Sequence, residues 1–228
     1  MPITAGLLFD LDGTMLDTDT LHLEAFQILL SGYGRSVTEH YYRTKIMGAP
    51  IEQIMEGLFP ELSAAKQWKL GEEKERLFRG LLTGPLQAKA GLFDVFDWAD
   101  VNRIGICVVT NAPRDNAEMM LSGLGLINRI RFLLIGAELL KSKPDPFPYQ
   151  EGMRLLNVDP STAVAFEDSG PGVQSASSAG LHTFGMLGGL EERELRDKGA
   201  SCVIADFRAP ELWRKLTDLA QPVPESPR

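Results

Sequence analysis

Asp10 and Asp12 stand two residues apart just after the apolar run Gly6 to Phe9, and Gly13 and Thr14 follow them. If the run is a strand, residues two apart project toward one side, and Gly13 lets the chain turn sharply beyond them. Like charges held together cost free energy unless a cation or a proton separates them. The pair therefore points to a bound metal, or to a nucleophile with an acid/base partner. Calcium loops and ordinary Asx turns carry the same D-x-D-G string, so the pair alone does not choose among these.

Three further polar groups stand near later apolar runs. Val108-Val109 leads into Thr110-Asn111, Lys141-Ser142-Lys143-Pro144 precedes Asp145-Pro146, and Phe166 leads into Glu167-Asp168-Ser169-Gly170. A threonine hydroxyl and backbone N–H groups can grip phosphoryl oxygens, a lysine can neutralise charge, and a second acidic pair can complete a Mg²⁺ site. Lys141 reads as solvated surface charge.

The elements that must position these groups are short apolar runs: Gly6 to Phe9, Ile104 to Val109, Phe132 to Ile135, Ala163 to Phe166, His182 to Met186 and Cys202 to Ala205. They do not alternate polar with apolar, and helix-like segments separate them, which is the pattern of a parallel sheet buried on both faces. The helices show the matching period. Ala117, Met120, Leu121 and Leu124 fall on one face behind Pro113, with Gly125 as a stop, and Pro171 and Gly180 bracket another helix. Asp145 reads as an N-cap with Pro146 at the first helical position, opening a helix that carries Tyr149, Met153 and Leu156.

Between the first two strands the patterns are helical only: Leu23, Phe26 and Leu30, then Ile51 to Leu58, then Ala64 to Leu82. The fold class is α/β, a Rossmann-like parallel sheet core over residues 1–16 and 85–228 with an all-helical insertion over 17–84. That insertion leaves from the carboxyl end of the first strand, where open α/β sheets bind ligands, so it can cover a site.

Composition narrows the partners. The 228-residue chain has 23 Lys and Arg against 31 Asp and Glu, a formal charge of -8, with the basic residues scattered. Nucleic-acid affinity comes from clustered cations, so this pattern argues against it. Cys107 and Cys202 lie in apolar runs without the His or Cys spacing of a zinc site, and read as two buried, reduced thiols. No stretch approaches the roughly 20 apolar residues that span a bilayer, and no leader pattern opens the chain; a cytoplasmic location is the expectation, with no membrane partner. Gln221 to Arg228 reads as a frayed tail.

Taken in order, Asp10-Leu11-Asp12-Gly13-Thr14, Thr110-Asn111, Lys143-Pro144 and Glu167-Asp168 resemble the four motifs of the haloacid dehalogenase-like superfamily, and the resemblance covers essentially the whole chain. The insertion is similar to the cap of its β-phosphoglucomutase and phosphoglycolate phosphatase subgroup. The resemblance implies that Asp10 attacks phosphorus to form an aspartyl-phosphate and that Asp12 protonates the leaving oxygen and then activates water. It implies that Thr110 and the Asn111 backbone hold phosphoryl oxygens and that Lys143 bridges Asp10 and the phosphoryl group. Mg²⁺ is then expected on Asp10, the Asp12 carbonyl and Asp168, with Glu167 as a ligand directly or through water, or as a group behind the ligands. In the subgroup a histidine at the place of His22 helps position the acid/base, and Lys45 to Pro50, including Gly48, aligns with the substrate-reading loop of the cap.

One departure weighs on the activity. β-Phosphoglucomutases carry a basic residue shortly after the loop glycine, whereas this chain has Ala49, Pro50, Ile51 and Glu52. Hydrolysis of a small phosphate monoester, such as a sugar phosphate or a phosphoglycolate-like ester, therefore ranks above mutase chemistry. Arg114 remains a candidate contact for a second phosphate. A dehalogenase is disfavoured by Asp12 and a phosphonate hydrolase by the lack of a poised lysine other than Lys45; a non-catalytic regulatory protein is the remaining alternative. A monomer or weak homodimer is expected.

Overall fold

The computed structural model describes residues 4–220. Gln221 to Arg228, read above as a frayed tail, lies outside the described residues. The apolar runs form six strands: β1 (Gly6–Phe9), β2 (Gly105–Thr110), β3 (Phe132–Ile135), β4 (Ala163–Glu167), β5 (His182–Met186) and β6 (Cys202–Ile204). They make one sheet, ordered β3-β2-β1-β4-β5-β6, in which every pairing is parallel. β2 starts one residue after Ile104 and takes in Thr110, while β6 ends before Ala205.

Every residue of β1, β2 and β4 is buried, which is why these runs do not alternate. Leu7, Phe9, Val108 and Phe166 face one core, and Leu8, Cys107, Val109 and Ala165 face the other, as a period of two requires. The central rings of Phe9 and Phe166 stack at 4.5 Å, tying β1 to β4. Cys107 is buried, but Cys202 is only half-buried because β6 is an edge strand; both are free thiols.

The helices are α1 (Asp19–Ser31), α2 (Glu39–Tyr41, running into a π turn over Tyr42–Ile46), α3 (Ile51–Leu58), α4 (Ala64–Leu81), α5 (Leu92–Asn102), α6 (Arg114–Gly123), α7 (Phe147–Leu156), α8 (Gly170–Ser178), α9 (Glu192–Asp197) and α10 (Pro210–Leu219). The N-cap of α7 is Pro146 rather than Asp145, which stands one position earlier, although its Oδ1 accepts from the Phe147 N–H at 2.9 Å. The regular helix begins at Phe147, and Pro146 flanks it rather than opening it. α5, α9 and α10 have no counterpart in the sequence reading, and α9, at six residues, is too short to show a period.

Helices α1 to α4 carry a core of their own, including Phe26, Leu30, Tyr42, Ile46, Met55, Phe59 and Leu70. The chain leaves and re-enters the sheet region side by side. Leu16 bridges Ala88 in an antiparallel pair, and the Lys89 ammonium sits 2.6 Å from Asp17. The helical segment thus stands on two adjacent connections beside the carboxyl end of β1, the switch point where the strand order turns to either side. None of the described helices is long and apolar enough to cross a membrane.

Candidate active site

Asp10 follows β1 directly, and its N–H still donates to the Phe166 carbonyl at 2.9 Å, so the sheet ladder holds its backbone. Its side chain meets Lys143, whose Nζ lies 2.6 Å from Asp10 Oδ1 and 2.5 Å from Glu167 Oε1. The hydroxyl of Tyr149 on α7 donates to the same Glu167 oxygen at 2.6 Å. Lys143 and Glu167 are almost wholly inaccessible. Burial opposes the lysine charge, but Asp10 and Glu167 outweigh it and hold the ammonium above its usual range. Burial pushes the Asp10 carboxyl up to about 8, helped by Glu167 and opposed by Lys143.

Asp10, Glu167 and Asp168 can each offer an oxygen within 4.8 Å of the others. Burial, and then the charge of Asp10, pushes the Asp168 carboxyl well above its usual range. Thr14 Oγ1 donates to Asp168 at 3.1 Å, and a Cβ on Gly13, whose φ is +76°, would lie 2.0 Å from Asp168 Oδ2. Glycine is therefore required there to let the first loop close onto the fourth. A buried all-oxygen set in which burial holds Asp10 and Asp168 against ionisation suits a hard divalent cation, so the donors fit Mg²⁺. Glu167 belongs to that set, although its Oε1 is already engaged by Lys143 and Tyr149.

Asp12 belongs to a second network. Its Oδ1 accepts from Thr18 at 2.8 Å and lies 3.0 Å from His22 Nε2, while Lys74 Nζ lies 2.7 Å from His22 Nδ1. An ammonium can only donate, so a charged Lys74 requires a lone pair on Nδ1 and a proton on Nε2 that points at Asp12. Lys74 is joined to Glu75 at 3.0 Å, Glu75 accepts from Asn116 of α6 at 2.7 Å, and Asn116 accepts from Arg79 at 2.7 Å. The chain of contacts thus runs from the acid/base candidate through α1 and α4 to α6. Burial opposes ionisation of Asp12, but the bonds from His22 and Thr18 and the charge of Lys74 hold its carboxyl below the usual range.

Eight of the groups expected or described above line a cavity of about 90 Å³ between the sheet edge and α1 to α4. Asp10, Asp12, His22, Gly48, Thr110, Asn111, Lys143 and Asp168 all face it. Thr110 Oγ1 accepts from the Ala112 N–H at 3.0 Å, and the Asn111 side chain donates to the Gly48 carbonyl at 2.9 Å, tying the helical segment to the end of β2. Gly48 sits at φ +74° against Ser169, where a Cβ would be 2.4 Å from Oγ. It is a point of close approach between the cap loop and the fourth motif.

Two expected contacts are elsewhere. Lys45 is exposed and outside the cavity lining, because the π turn directs Tyr42 and Ile46 inward instead. Arg114 is half-buried outside the cavity lining and pairs with Glu138 at 2.5 Å and Glu118 at 3.0 Å, so α6 carries it away from the site. Lys141 pairs with Asp145 at the surface. The sequence reading missed Asp19, Tyr42, Lys74 and Glu75, which line the cavity. Lys74 had a detectable signal, since it interrupts the i, i+4 repeat of Leu70 and Phe78 on a buried stripe.

The chain belongs to the haloacid dehalogenase-like hydrolase family, which its residues 7–186 match. It is 31% identical over 206 residues to a phosphorylated carbohydrates phosphatase of Thermotoga maritima, covering 87% of this chain and 93% of that one. It is 28% identical over 188 residues to a phosphoglycolate phosphatase of Xylella fastidiosa, covering 82% of each. The fold matches that of a β-phosphoglucomutase from Clostridium difficile with a TM-score of 0.82 at 20% identity, over 96% of this chain and 97% of that one.

Proposed function

We propose that the protein is a Mg²⁺-dependent phosphatase that hydrolyses a small phosphate monoester through an aspartyl-phosphate on Asp10. The observation that carries this reading is the Asp10–Lys143–Glu167 cluster at the floor of the cavity, with Asp12 held separately by His22 and Thr18. One carboxylate is set against a cation where phosphorus must arrive, and the other is oriented to handle protons. The relatives named for phosphorylated carbohydrates and phosphoglycolate support the same class of reaction.

In the first step an Asp10 oxygen attacks phosphorus, the ester P–O bond breaks, and the leaving oxygen takes a proton from Asp12. In the second step Asp12 takes a proton from water, the resulting hydroxide attacks phosphorus, and the bond to Asp10 breaks to release phosphate. The dianionic substrate raises the Asp12 pKa from its depressed resting state, which favours the acid form needed first. Lys143 offsets repulsion between Asp10 and the phosphoryl group, and the Thr110 hydroxyl and the Asn111 N–H supply donors to the phosphoryl oxygens. Asp10, Asp168 and the Asp12 carbonyl would hold Mg²⁺, with Glu167 behind them orienting Lys143. When bound, the ion supplies charge neutralisation for the phosphoryl group.

The mutase alternative has less support. A second phosphate needs its own cation, and Arg114, Lys45 and the Ala49–Ile51 stretch do not supply one inside the cavity. The decisive measurement is phosphate release from p-nitrophenyl phosphate with Mg²⁺. Turnover should vanish with EDTA, return with Mg²⁺, and fall at least about a thousandfold in Asp10→Asn with an unchanged circular dichroism spectrum. An Asp10→Asn variant with wild-type rates would end this reading.

A further inference from the structure

Asn116 of α6 is wholly buried and does not line the cavity, yet side chains of α4 engage both ends of its amide. Its Oδ1 accepts from Arg79 at 2.7 Å, and its Nδ2 donates to Glu75 Oε2 at 2.7 Å. A guanidinium only donates, so the amide can face one way, oxygen to Arg79 and N–H to Glu75. Glu75 turns its other oxygen to Lys74 Nζ at 3.0 Å, and Lys74 Nζ reaches His22 Nδ1 at 2.7 Å. Each contact in this row fixes the donor and acceptor of the next, and the last places His22 Nε2–H against Asp12 Oδ1.

The row supplies what packing alone cannot. Phe78 stacks on the His22 ring at 3.7 Å and fixes its plane, but a ring face does not choose which nitrogen carries the proton. Lys74 makes that choice as long as it is charged. Burial opposes its charge and Glu75 supports it, so Glu75 must stay aimed at it. Among the described residues, the hydrogen bond on the second Glu75 oxygen comes from Asn116. The row is also a closed circuit. Asp12 follows β1 and Asn116 lies on α6 behind β2, so the Asp12 side chain is braced back to the sheet domain through His22, Lys74 and Glu75. With Oδ1 of Asp12 taken by His22 and Thr18, Oδ2 is the oxygen left to carry a proton.

We infer that Asn116 is a positioning residue for the acid/base chemistry: through Glu75 and Lys74 it keeps His22 Nε2–H on Asp12, and so sets the orientation in which Asp12 gives its proton to the leaving oxygen. This rests on the phosphatase reading above and adds to it a residue remote from the reacting atoms.

The test compares p-nitrophenyl phosphate with phenyl phosphate, esters of similar size, in the presence of Mg²⁺. p-Nitrophenolate departs without a proton, whereas phenolate is a much poorer leaving group and needs the acid. kcat/KM ends at formation of the phosphoenzyme, so the later water step does not enter the comparison. In Asn116→Ala the phenyl ester should lose at least about fivefold more kcat/KM than the nitro ester. In a Lys74→Met background the same substitution should add less than about twofold to the loss with phenyl phosphate, because its route to Asp12 is already cut. Arg79→Met, which leaves Glu75 and Asn116 in place but frees the amide to turn, should move the ratio of the two esters the same way; it serves if Asn116→Ala misfolds by circular dichroism. An unchanged ratio in the folded variants, or losses that multiply in the double variant, mark a merely structural role and overturn the inference while the phosphatase reading stands. So does a wild-type protein that hydrolyses the nitro ester alone, since it has no working acid. Absence of phosphate release from both esters overturns both readings.

Discussion

Two lysines are buried in this protein to nearly the same extent, Lys143 at 2% exposed and Lys74 at 3%, and their surroundings drive them in opposite directions. Lys143 sits between two carboxylates at 2.6 and 2.5 Å, and their combined charge more than offsets desolvation, so its ammonium is held above the usual range. Lys74 has one carboxylate, at 3.0 Å, and an imidazole. There desolvation wins, and its pKa is lowered despite Glu75. A buried lysine is a fixed charge when two anions flank it and a conditional one when a single anion does. The first suits a group that must always balance phosphate; the second suits a group that only orients a histidine.

Replacing each lysine with methionine tests that contrast. Lys143→Met leaves Asp10 and Glu167 buried together with no cation, and should produce the largest effect. Turnover should fall at least about a thousandfold, and without added metal urea unfolding should show a loss of about 3–5 kcal/mol. Lys74→Met strands only Glu75, which keeps its bond from Asn116, so a smaller stability loss of about 1–3 kcal/mol is expected. Its turnover should drop by about 10- to 100-fold, because His22 loses the donor that sets its tautomer toward Asp12. Equal losses for the two variants would break the comparison.

A weaker and more general effect separates the acidic cluster from the rest of the molecule through pH. The Asp10 carboxyl moves from an ordinary 3.8 to about 8 in the metal-free fold, and Asp168 is raised as well. A raised carboxyl contributes stability below its unfolded pKa and loses it as pH rises through the folded one. In EDTA this contribution should decline from about pH 4 to pH 8. Mg²⁺ favours the ionised forms, so the gain in Tm on adding it should grow over the same interval. Differential scanning calorimetry at several pH values checks this, and a gain independent of pH would argue against metal binding at these carboxylates.

The floor of the cavity was legible in the sequence because its chemistry comes in contiguous strings attached to apolar runs. Asp10, Thr110 and Glu167 follow or end strands, and a parallel sheet brings all its carboxyl ends to one edge, so strand identity alone implied that they converge. The roof was not legible in the same way. Lys45 and Arg114 look suitable by spacing, yet the π turn leaves one outside the cavity and Glu138 engages the other. Asp19, Tyr42 and Glu75 look unremarkable along the chain, and Lys74 shows only as a break in an apolar repeat, yet the four face the cavity together. Where a helical side chain points depends on how its helix is rotated against its neighbours, and that rotation is decided by packing among α1, α3 and α4. The sequence by itself determined the parallel sheet and the groups at its edge; only the tertiary structure decided which polar side chains of the helical segment meet them.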